Sequence, residues 1–184
     1  MNNANAINSS ISYSADELPE EVFRNYDIRG FADSQITPKF AYKLGATLAT
    51  LLLKQQYSTI YLGRDGRLSS PELAKSLATG LAEHGMNVCD IGAVSTPVLN
   101  YAVYCDGMAN CGIMVTASHN AKAYNGFKII VRDQVISGEM LKNIRQLMLT
   151  DTVDDIQSGQ INRRDVVPNY LSAITASCHP KKDF

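Results

Sequence analysis

Apolar residues recur at helical spacing along the chain, most clearly in two stretches. One stripe contains Phe40, Leu44, Leu48, Leu51 and Leu52, and the other contains Leu73, Leu77 and Leu81 with Ala74 and Ala78 beside them. A hydroxyl residue followed by proline opens both stretches, at Thr37-Pro38 and Ser70-Pro71, and the pair recurs at Thr96-Pro97. A hydroxyl can cap free helical N–H groups, and proline fits the first helical position. These pairs therefore predict the starts of three helices, the third a short one near residues 97–105.

Four short runs have the composition of strands. Residues 59–62 and 87–91 are each followed by a glycine, as strands that run into turns often are. Residues 111–115 (CGIMV) are continuously apolar, which is typical of a strand buried on both faces. Residues 127–131 (FKIIV) follow a Tyr-Asn-Gly turn and complete the set.

The alternation of strands and helices favours an α/β fold. We expect a three-layer αβα domain, in which helices cover both faces of a mixed, mostly parallel sheet. The link between residues 115 and 127 is too brief for a helical crossover, so it predicts one antiparallel pair of strands. A further helix is predicted to start at Ser137, with Met140, Leu141, Ile144, Leu147 and Met148 on its apolar face.

The last part of the chain has a different composition. Residues 151–163 are polar and contain a glycine, so we interpret them as a linker or a surface excursion, and helical spacing returns over residues 166–174. A lone helix after a linker has little to pack against. We therefore expect a flexible leader at residues 1–16, one domain at residues 17–160 and the truncated start of a second domain at residues 161–184.

Composition excludes several classes of protein. The net charge is -1 with a pI near 6.3, which argues against nucleic acid or an anionic membrane as a partner. No cysteine pair has C-x-x-C spacing and the three histidines lie far apart, so a zinc site is not expected. No apolar stretch has the length of a membrane span, and the start of the chain lacks a secretory signal. We expect a cytoplasmic protein with reduced thiols.

The strongest candidate for chemistry is Thr-Ala-Ser-His-Asn at residues 116–120, directly after the buried strand. Ligands of open α/β sheets bind beyond the carboxyl ends of strands, so an exposed Ser118 hydroxyl beside His119 and Asn120 is well placed. A plain polar turn is the alternative, because all three residue types are common in turns. Lys128, on the returning strand, could hold a phosphate or exchange a proton, or be a solvated strand residue.

Two arginine-rich segments are also candidates. Residues 23–30 (FRNYDIRG) place Tyr26 and Arg29 beside a glycine, and arginine suits phosphate because of its planar fork of donors. From this segment alone, an N-terminal edge strand with surface charges is the favoured interpretation. Residues 63–67 (GRDGR) do not match the nucleotide P-loop pattern, and there the aspartate could brace the loop by pairing with its arginine neighbours or could contact a substrate.

Taken in order, FRNYDIRG, GRDGR-LSSPEL, TASHN and YNGFKI resemble the first domain of the α-D-phosphohexomutase family, over residues 22–175. The forms YDIRG and YNGFK resemble its phosphomannomutase/phosphoglucomutase branch. The resemblance implies an isomerase that interconverts hexose 1-phosphate and 6-phosphate, of mannose or glucose, through a phosphoserine. It implies a hexose 1,6-bisphosphate intermediate, which also serves as activator, and Mg²⁺.

The same resemblance implies roles for individual residues. Ser118 would carry the phosphoryl group, and one oxygen of that group would bind Mg²⁺. His119 and Asn120 would shape the loop and assist the phosphoryl group. Lys128 and Arg29 would stabilise charge or transfer protons near the reacting hydroxyl, and Tyr26 would line the cleft.

The chain departs from the family pattern in two ways. Ala121 stands where the family usually has proline, which leaves the loop less rigid. The family has four domains, and the Asp-rich metal loop, the sugar-reading loop and the phosphate clamp belong to the others. We therefore expect hexose phosphates and the remaining mutase domains as partners, and no turnover by these 184 residues alone.

Two other functions stay open. A serine hydrolase could use Ser118 and His119, but adjacent residues rarely face each other as nucleophile and base, and the chain lacks a Gly-x-Ser-x-Gly elbow. A non-catalytic phosphosugar-binding or regulatory module with the mutase fold would also fit the length.

Overall fold

The computed structural model describes Ser14 and residues 18–134, 136–150 and 157–178. The predicted leader lies almost entirely outside the described residues, as does part of the predicted linker. The strands of the sheet are β1 (Ile28–Phe31), β2 (Thr59–Arg64), β3 (Asn87–Ala93), β4 (Cys111–Val115), β5 (Tyr124–Val131) and β6 (Ile161–Arg163).

These strands form a six-stranded sheet in the order β1-β5-β4-β2-β3-β6. Strand β2 pairs parallel with β4 and with β3, and β3 pairs parallel with β6. Strand β5 pairs antiparallel with both β4 and β1. The mixed, mostly parallel sheet and the antiparallel β4–β5 pair are thus both confirmed.

The helices are α1 (Pro38–Lys54), α2 (Ser70–Glu83), α3 (Thr96–Tyr101), α4 (Gly138–Met148) and α5 (Val167–Ser177), with a 3₁₀ turn at Glu20–Val22. Buried residues of α1, α2 and α4 pack on one face of the sheet. Buried residues of α3 pack on the other face, with Val167 and Tyr170 of α5 beside them. The predicted three-layer αβα architecture is therefore confirmed.

Only one of the three predicted caps forms. Thr37 accepts a hydrogen bond from the Phe40 N–H at 3.1 Å, as expected. Ser70 and Thr96 are instead the first residues of their helices, and neither helix has a side-chain cap. Because α2 starts one residue earlier than predicted, Ser70 lies inside its first turn, and its hydroxyl donates to Asp65 at 2.5 Å.

The third predicted helix is correctly placed but changes its form. It continues past α3 as a π-helix over Ala102–Asp106 and ends at Gly107, where φ is 77°. Asp106, the last residue of the π-helix, accepts hydrogen bonds on its carboxylate from Tyr61 and Arg164.

The interpretation of residues 151–163 as a linker is wrong at its end. Ile161–Arg163 form β6 and pair with β3 in register Val88↔Ile161, so the sheet continues past the domain boundary expected at residue 160. Three mostly polar residues carry no strand periodicity, and only the partner strand defines them. The boundary itself stays a prediction, as does a second domain.

Helix α5 packs against the domain, contrary to the expectation for a lone helix. Val166 is fully buried before its first turn, and the rings of Tyr170 and Tyr101 meet edge to face at 5.6 Å between centroids. None of the helices in the described part of the chain combines the length and apolar character of a membrane span.

Candidate active site

The loop between β4 and β5, residues 116–123, leaves the carboxyl end of a fully buried central strand. The Thr116 N–H donates to the Gly126 carbonyl at 2.9 Å and closes the base of the loop. Ala117 is fully buried, whereas Ser118 and His119 are exposed. The buried neighbour anchors the loop, and the serine is thereby presented to solvent, as predicted.

Ser118 has a left-handed backbone, with φ at 56°. A residue other than glycine adopts this conformation at a cost, and it persists only where the surroundings hold it. Here the Ser118 N–H donates to the Thr116 hydroxyl at 2.9 Å, and the Ser118 carbonyl accepts from Arg67 at 3.1 Å. Both backbone polar groups of the residue are fixed, so the direction of its Cα–Cβ bond is fixed as well.

Ser118 Oγ lies 3.2 Å from His119 Nδ1. The argument that adjacent residues rarely face each other is therefore wrong for this pair. The hydrolase interpretation still gains little. Among the described residues no carboxylate orients the His119 ring, and the Ser118 N–H that could have stabilised an oxyanion is already bonded to Thr116.

Arg29 reaches the loop from β1. Its position depends on a close approach of β1 to β5 at Gly126, where an added Cβ would lie 2.0 Å from the Ile28 carbonyl oxygen. The Arg29 guanidinium donates to Asn120 Oδ1 at 2.7 Å and also to Asp27. Its Nε has no hydrogen-bond partner among the described residues. The structure thus brings the predicted residues Arg29 and Asn120 together, with donor capacity left on the arginine.

The other two predicted site residues are less constrained. Lys128 is an exposed residue of β5, opposite Met114, and no hydrogen bond joins it to another described residue. In the antiparallel pairing of β1 with β5, Lys128 follows the Phe127–Ile28 pair and therefore shares the sheet face of Arg29. Tyr26 is 71% exposed before β1. No hydrogen bond joins either side chain to Ser118 among the described residues.

Asp65 connects the neighbouring strand end to the loop. Its carboxylate accepts from the Thr116 hydroxyl at 2.8 Å, the Ser70 hydroxyl at 2.5 Å and the Arg67 backbone N–H at 3.1 Å. Arg67 Nε adds a further bond at 3.1 Å. Partial burial opposes ionisation, but the hydrogen bonds and the Arg67 charge outweigh it, so the pKa of Asp65 lies below its ordinary value.

Arg67 donates hydrogen bonds to the backbone carbonyls of the loop and of the first residue of β5. Its terminal nitrogens donate to the carbonyls of Ser118, Asn120, Ala121 and Tyr124 at 2.7–3.1 Å. Of the two interpretations of residues 63–67 left open by the sequence, these contacts favour the brace. Sequence reasoning missed that the brace extends from its own loop to the serine loop, because only the parallel pairing of β2 with β4 places the two loops side by side.

Asn125 was also missed. It is fully buried, and its amide donates to the hydroxyls of Ser69 and Ser70 at 2.8 and 3.0 Å. In the sequence it belongs to a Tyr-Asn-Gly motif that is typical of a turn, yet it lies in β5, paired with Gly30. It joins the start of α2 to the strand that leaves the loop.

An open cleft of about 1010 Å³ adjoins these residues. It lies between the 65–72 segment and the 120–123 segment and is lined in part by Asp65, Arg67, Asn120 and Lys122. Its volume would accommodate a small phosphorylated ligand. Ser118 stands beside this cleft and is not part of its lining.

A metal site is not complete in the described part of the chain. No group of three or more His, Cys, Asp or Glu side chains there could hold a metal ion. Asp65, the acidic residue nearest the loop, has its acceptor positions filled by hydroxyl and N–H donors.

Comparison with known proteins gives a consistent result. Residues 20–154 match the family model described as phosphoglucomutase/phosphomannomutase, alpha/beta/alpha domain I. A phosphomannomutase/phosphoglucomutase of Pseudomonas aeruginosa is 39% identical over 163 residues, which are 87% of this chain and 34% of that protein. A phosphoglucomutase of Neisseria meningitidis serogroup B is 33% identical over 168 residues, or 90% of this chain and 36% of that protein.

Solved structures agree. A phosphoglucomutase/phosphomannomutase family protein from Burkholderia thailandensis matches with a TM-score of 0.79 and 31% identity, over 86% of this chain and 36% of the other. The chain thus spans about a third of the length of the relatives it matches. By its sequence, its fold and the order of its motifs, it belongs to the phosphoglucomutase/phosphomannomutase family and contains the alpha/beta/alpha domain I of that family.

Proposed function

We propose that this chain is the phosphoryl-carrying domain of an enzyme that interconverts hexose 1-phosphate and hexose 6-phosphate, with Ser118 as the carrier. The observation that supports this most is the Ser118 backbone. It is held in a left-handed conformation at the end of a central strand, with its hydroxyl exposed and 3.2 Å from His119 Nδ1. A costly conformation stabilised from both sides is typical of a functional residue.

The proposed chemistry consists of two phosphoryl transfers. The free hydroxyl of a hexose monophosphate attacks the phosphorus of phosphoserine, a new sugar O–P bond forms, and the bond from phosphorus to Ser118 Oγ breaks. The hydroxyl proton leaves the sugar, and a proton is delivered to Oγ. The hexose 1,6-bisphosphate then returns its other phosphoryl group to Ser118, which yields the isomer. Covalent storage divides the isomerisation into two in-line steps.

Four neighbouring residues would support these steps. Arg29, with donors left after it binds Asp27 and Asn120, would stabilise charge on the transferring group. His119 is near enough to Ser118 Oγ to exchange its proton. Lys128 is exposed on the same sheet face as Arg29, and it would stabilise charge on the sugar hydroxyl or accept its proton. Tyr26 would line the cleft.

Mg²⁺ is proposed as the metal, and it would supply charge neutralisation at the phosphoryl group. The described residues would contribute one ligand, a phosphoryl oxygen on Ser118, and they form no cage for the ion. The other ligands, the sugar-reading groups and the second phosphate clamp would come from further mutase domains. For these 184 residues alone we accordingly propose phosphoryl carriage without turnover.

The decisive measurement is phosphate on Ser118. Protein isolated from its own cells should carry one phosphate on the peptide that contains Ser118, by peptide-level mass spectrometry. Incubation with glucose 1,6-bisphosphate and Mg²⁺ should raise its occupancy. Ser118→Ala should abolish the modification and reduce mutase activity to background, because the carrier oxygen is gone. Ser172→Ala, an exposed hydroxyl change in α5, should leave both at the wild-type level.

A bare Ser118 that accepts no phosphoryl group would contradict the proposal and favour the binding or regulatory module. Strong mutase activity in a pure preparation of the 184 residues would contradict the division of labour between domains. Mannose and glucose phosphates should be compared in the same assay, since we propose that the sugar-reading groups belong to the further mutase domains.

A further inference from the structure

Arg67 uses its whole guanidinium inside the protein. Nε donates to Asp65, one terminal nitrogen donates to the Ala121 and Tyr124 carbonyls, and the other donates to the Ser118 and Asn120 carbonyls. An arginine has five N–H donors, so none is left for a ligand.

We propose that Arg67 is a positioning residue, which orients Ser118 for phosphoryl transfer and does not bind the phosphate of a ligand. The inference rests on the proposed role of Ser118. It assigns opposite tasks to two arginines at one site: Arg67 is saturated with internal acceptors, whereas each terminal nitrogen of Arg29 uses one N–H bond and keeps the other.

The geometry explains why this position requires an arginine. Three carbonyls of the loop and that of Tyr124, the first residue of β5, point toward a common centre, and a planar group with paired terminal N–H bonds meets all of them at 2.7–3.1 Å. Lysine has three donors on a single nitrogen, so it would leave some of these carbonyls without a partner. The loop would then sample further conformations, and the left-handed Ser118 would lose the contact to its carbonyl.

The N–H side of Ser118 is held by a second chain of bonds. It donates to the Thr116 hydroxyl at 2.9 Å, and that hydroxyl donates to Asp65 at 2.8 Å. Asp65 in turn accepts from Arg67 Nε. One network therefore fixes both the N–H and the carbonyl of the residue that carries Oγ, and a loss at either end should misplace the oxygen by a fraction of an ångström or more.

The test uses the full native protein and the rate at which Ser118 takes labelled phosphate from glucose 1,6-bisphosphate. For Arg67→Lys we expect the maximal rate to fall roughly 100-fold, the cost typical of a misplacement of about 1 Å. The half-saturating concentration of the bisphosphate should stay within about twofold, because no ligand contact is removed. Arg163→Lys, at a side chain that is 87% exposed, is the matched control and should behave as wild type.

Loop order is measured separately, by hydrogen exchange of peptides that cover residues 116–124 and 111–115. Arg67→Lys should raise exchange in the first peptide and leave the second unchanged. Thr116→Val, which keeps the shape of the side chain and the arginine, should do the same and lower the same maximal rate. This variant answers the question if the arginine variant does not fold.

Three outcomes would overturn the inference. One is a raised half-saturating concentration with an unchanged maximal rate, which would place Arg67 on the ligand. Another is a wild-type maximal rate in either variant. The third is unchanged exchange over residues 116–124 in both variants, which decides the matter even if the wild-type protein takes no label. Absence of label in the wild type would contradict the proposed function instead.

Discussion

At the scale of single residues, the site depends on side chains that serve the backbone of the serine loop. Ser118 and Asn120 were predictable, because they lie in one short polar motif after an apolar strand. The sequence also allowed Asp65 to pair with an arginine neighbour. The contacts of Arg67 with four backbone carbonyls were not predictable, since the two segments lie more than 50 residues apart in sequence.

Ala121 is a second position where contacts from a distant segment could not be predicted from the sequence. The sequence predicts a less rigid loop here than a proline would give. The structure supplies a partial substitute, because the Ala121 carbonyl accepts from Arg67 at 2.8 Å and from the Tyr124 N–H at 3.0 Å. Rigidity that one residue does not encode is provided by contacts from another element.

Because the pKa of Asp65 is lowered, we expect the order of the serine loop to decrease at low pH. A carboxyl whose pKa is lower in the folded than in the unfolded state, about 3.9, stabilises the fold fully above that value. The contribution is lost as the pH falls through the folded pKa. We therefore expect the protection factors over residues 116–124, which correct for the pH dependence of intrinsic amide exchange, to fall below about pH 4 and to change little between pH 5 and 7.

Asp65→Asn should remove this dependence and lower the free energy of unfolding at pH 7 by about 1–2 kcal/mol, since charge-assisted bonds are lost. Chemical denaturation at several pH values, with hydrogen exchange, measures both effects. Asp133→Asn, an exposed carboxylate away from the loop, is the control. An acid response that persists unchanged in Asp65→Asn would refute the assignment.

At the scale of elements, helical periodicity was the most reliable signal. It placed α1, α2 and α4 correctly because burial is what the apolar stripe encodes, and in α1 the burial extends all round the helix over residues 43–49. Caps were less reliable: α2 begins at Ser70 itself, and the Ser70 hydroxyl bonds the Asp65 carboxylate in the segment just before the helix. Strand β6 was missed because its sequence has no strand pattern of its own. Its pairing with β3 is what defines it.

The contact between α1 and α2 is set by two glycines. A Cβ on Gly80 would lie 2.1 Å from the Tyr42 carbonyl oxygen, and one on Gly45 would lie 2.4 Å from the Leu77 carbonyl oxygen. The two backbones therefore touch with no side chain between them. This close approach holds both helices on one face of the sheet.

Gly80→Ala tests that contact. On an open helix surface the change would stabilise the protein by up to about 1 kcal/mol, because alanine has the higher helix propensity. Here we expect the opposite sign, a loss of about 1–3 kcal/mol from overpacking, visible as a lower unfolding temperature. Gly66→Ala is the control, as no atom lies within 4 Å of its added Cβ. A more stable Gly80→Ala protein would show that the helices can separate at no cost.

At the scale of the whole molecule, a network of hydrogen bonds around Asp106 connects β6 and α5 to the central part of the sheet. The Asp106 carboxylate, 4% exposed, accepts from the Tyr61 hydroxyl at 2.5 Å and from Arg164 at 2.9 Å. Burial, followed by the bond to Asp106, raises the pKa of the Tyr61 hydroxyl well above its ordinary value, so it remains a donor at all physiological pH values. Arg164 joins β6 and α5 to the π-helix and to β2.

Arg164→Gln should leave the buried carboxylate without its charged partner and lower the free energy of unfolding by about 1–3 kcal/mol. We expect hydrogen exchange to rise over residues 161–177 and to stay unchanged over residues 111–131. The neighbouring change Arg163→Gln, at a far more exposed arginine, should affect neither. Equal protection of residues 161–177 in both variants would mean that packing of α5 alone holds the segment.

The pairing of β1 with β5 also determines when the site can be assembled during protein synthesis. Ile28 pairs with Phe127, so β1 leaves the ribosome about 100 residues before its partner. At a usual rate of about 5–20 residues per second, the wait is roughly 5–20 s. During that time the partner strand β5 is missing, and Asn120, the loop residue that Arg29 binds, has not yet been made. The site therefore becomes complete only when β5, the strand that follows the Ser118 loop, has been made.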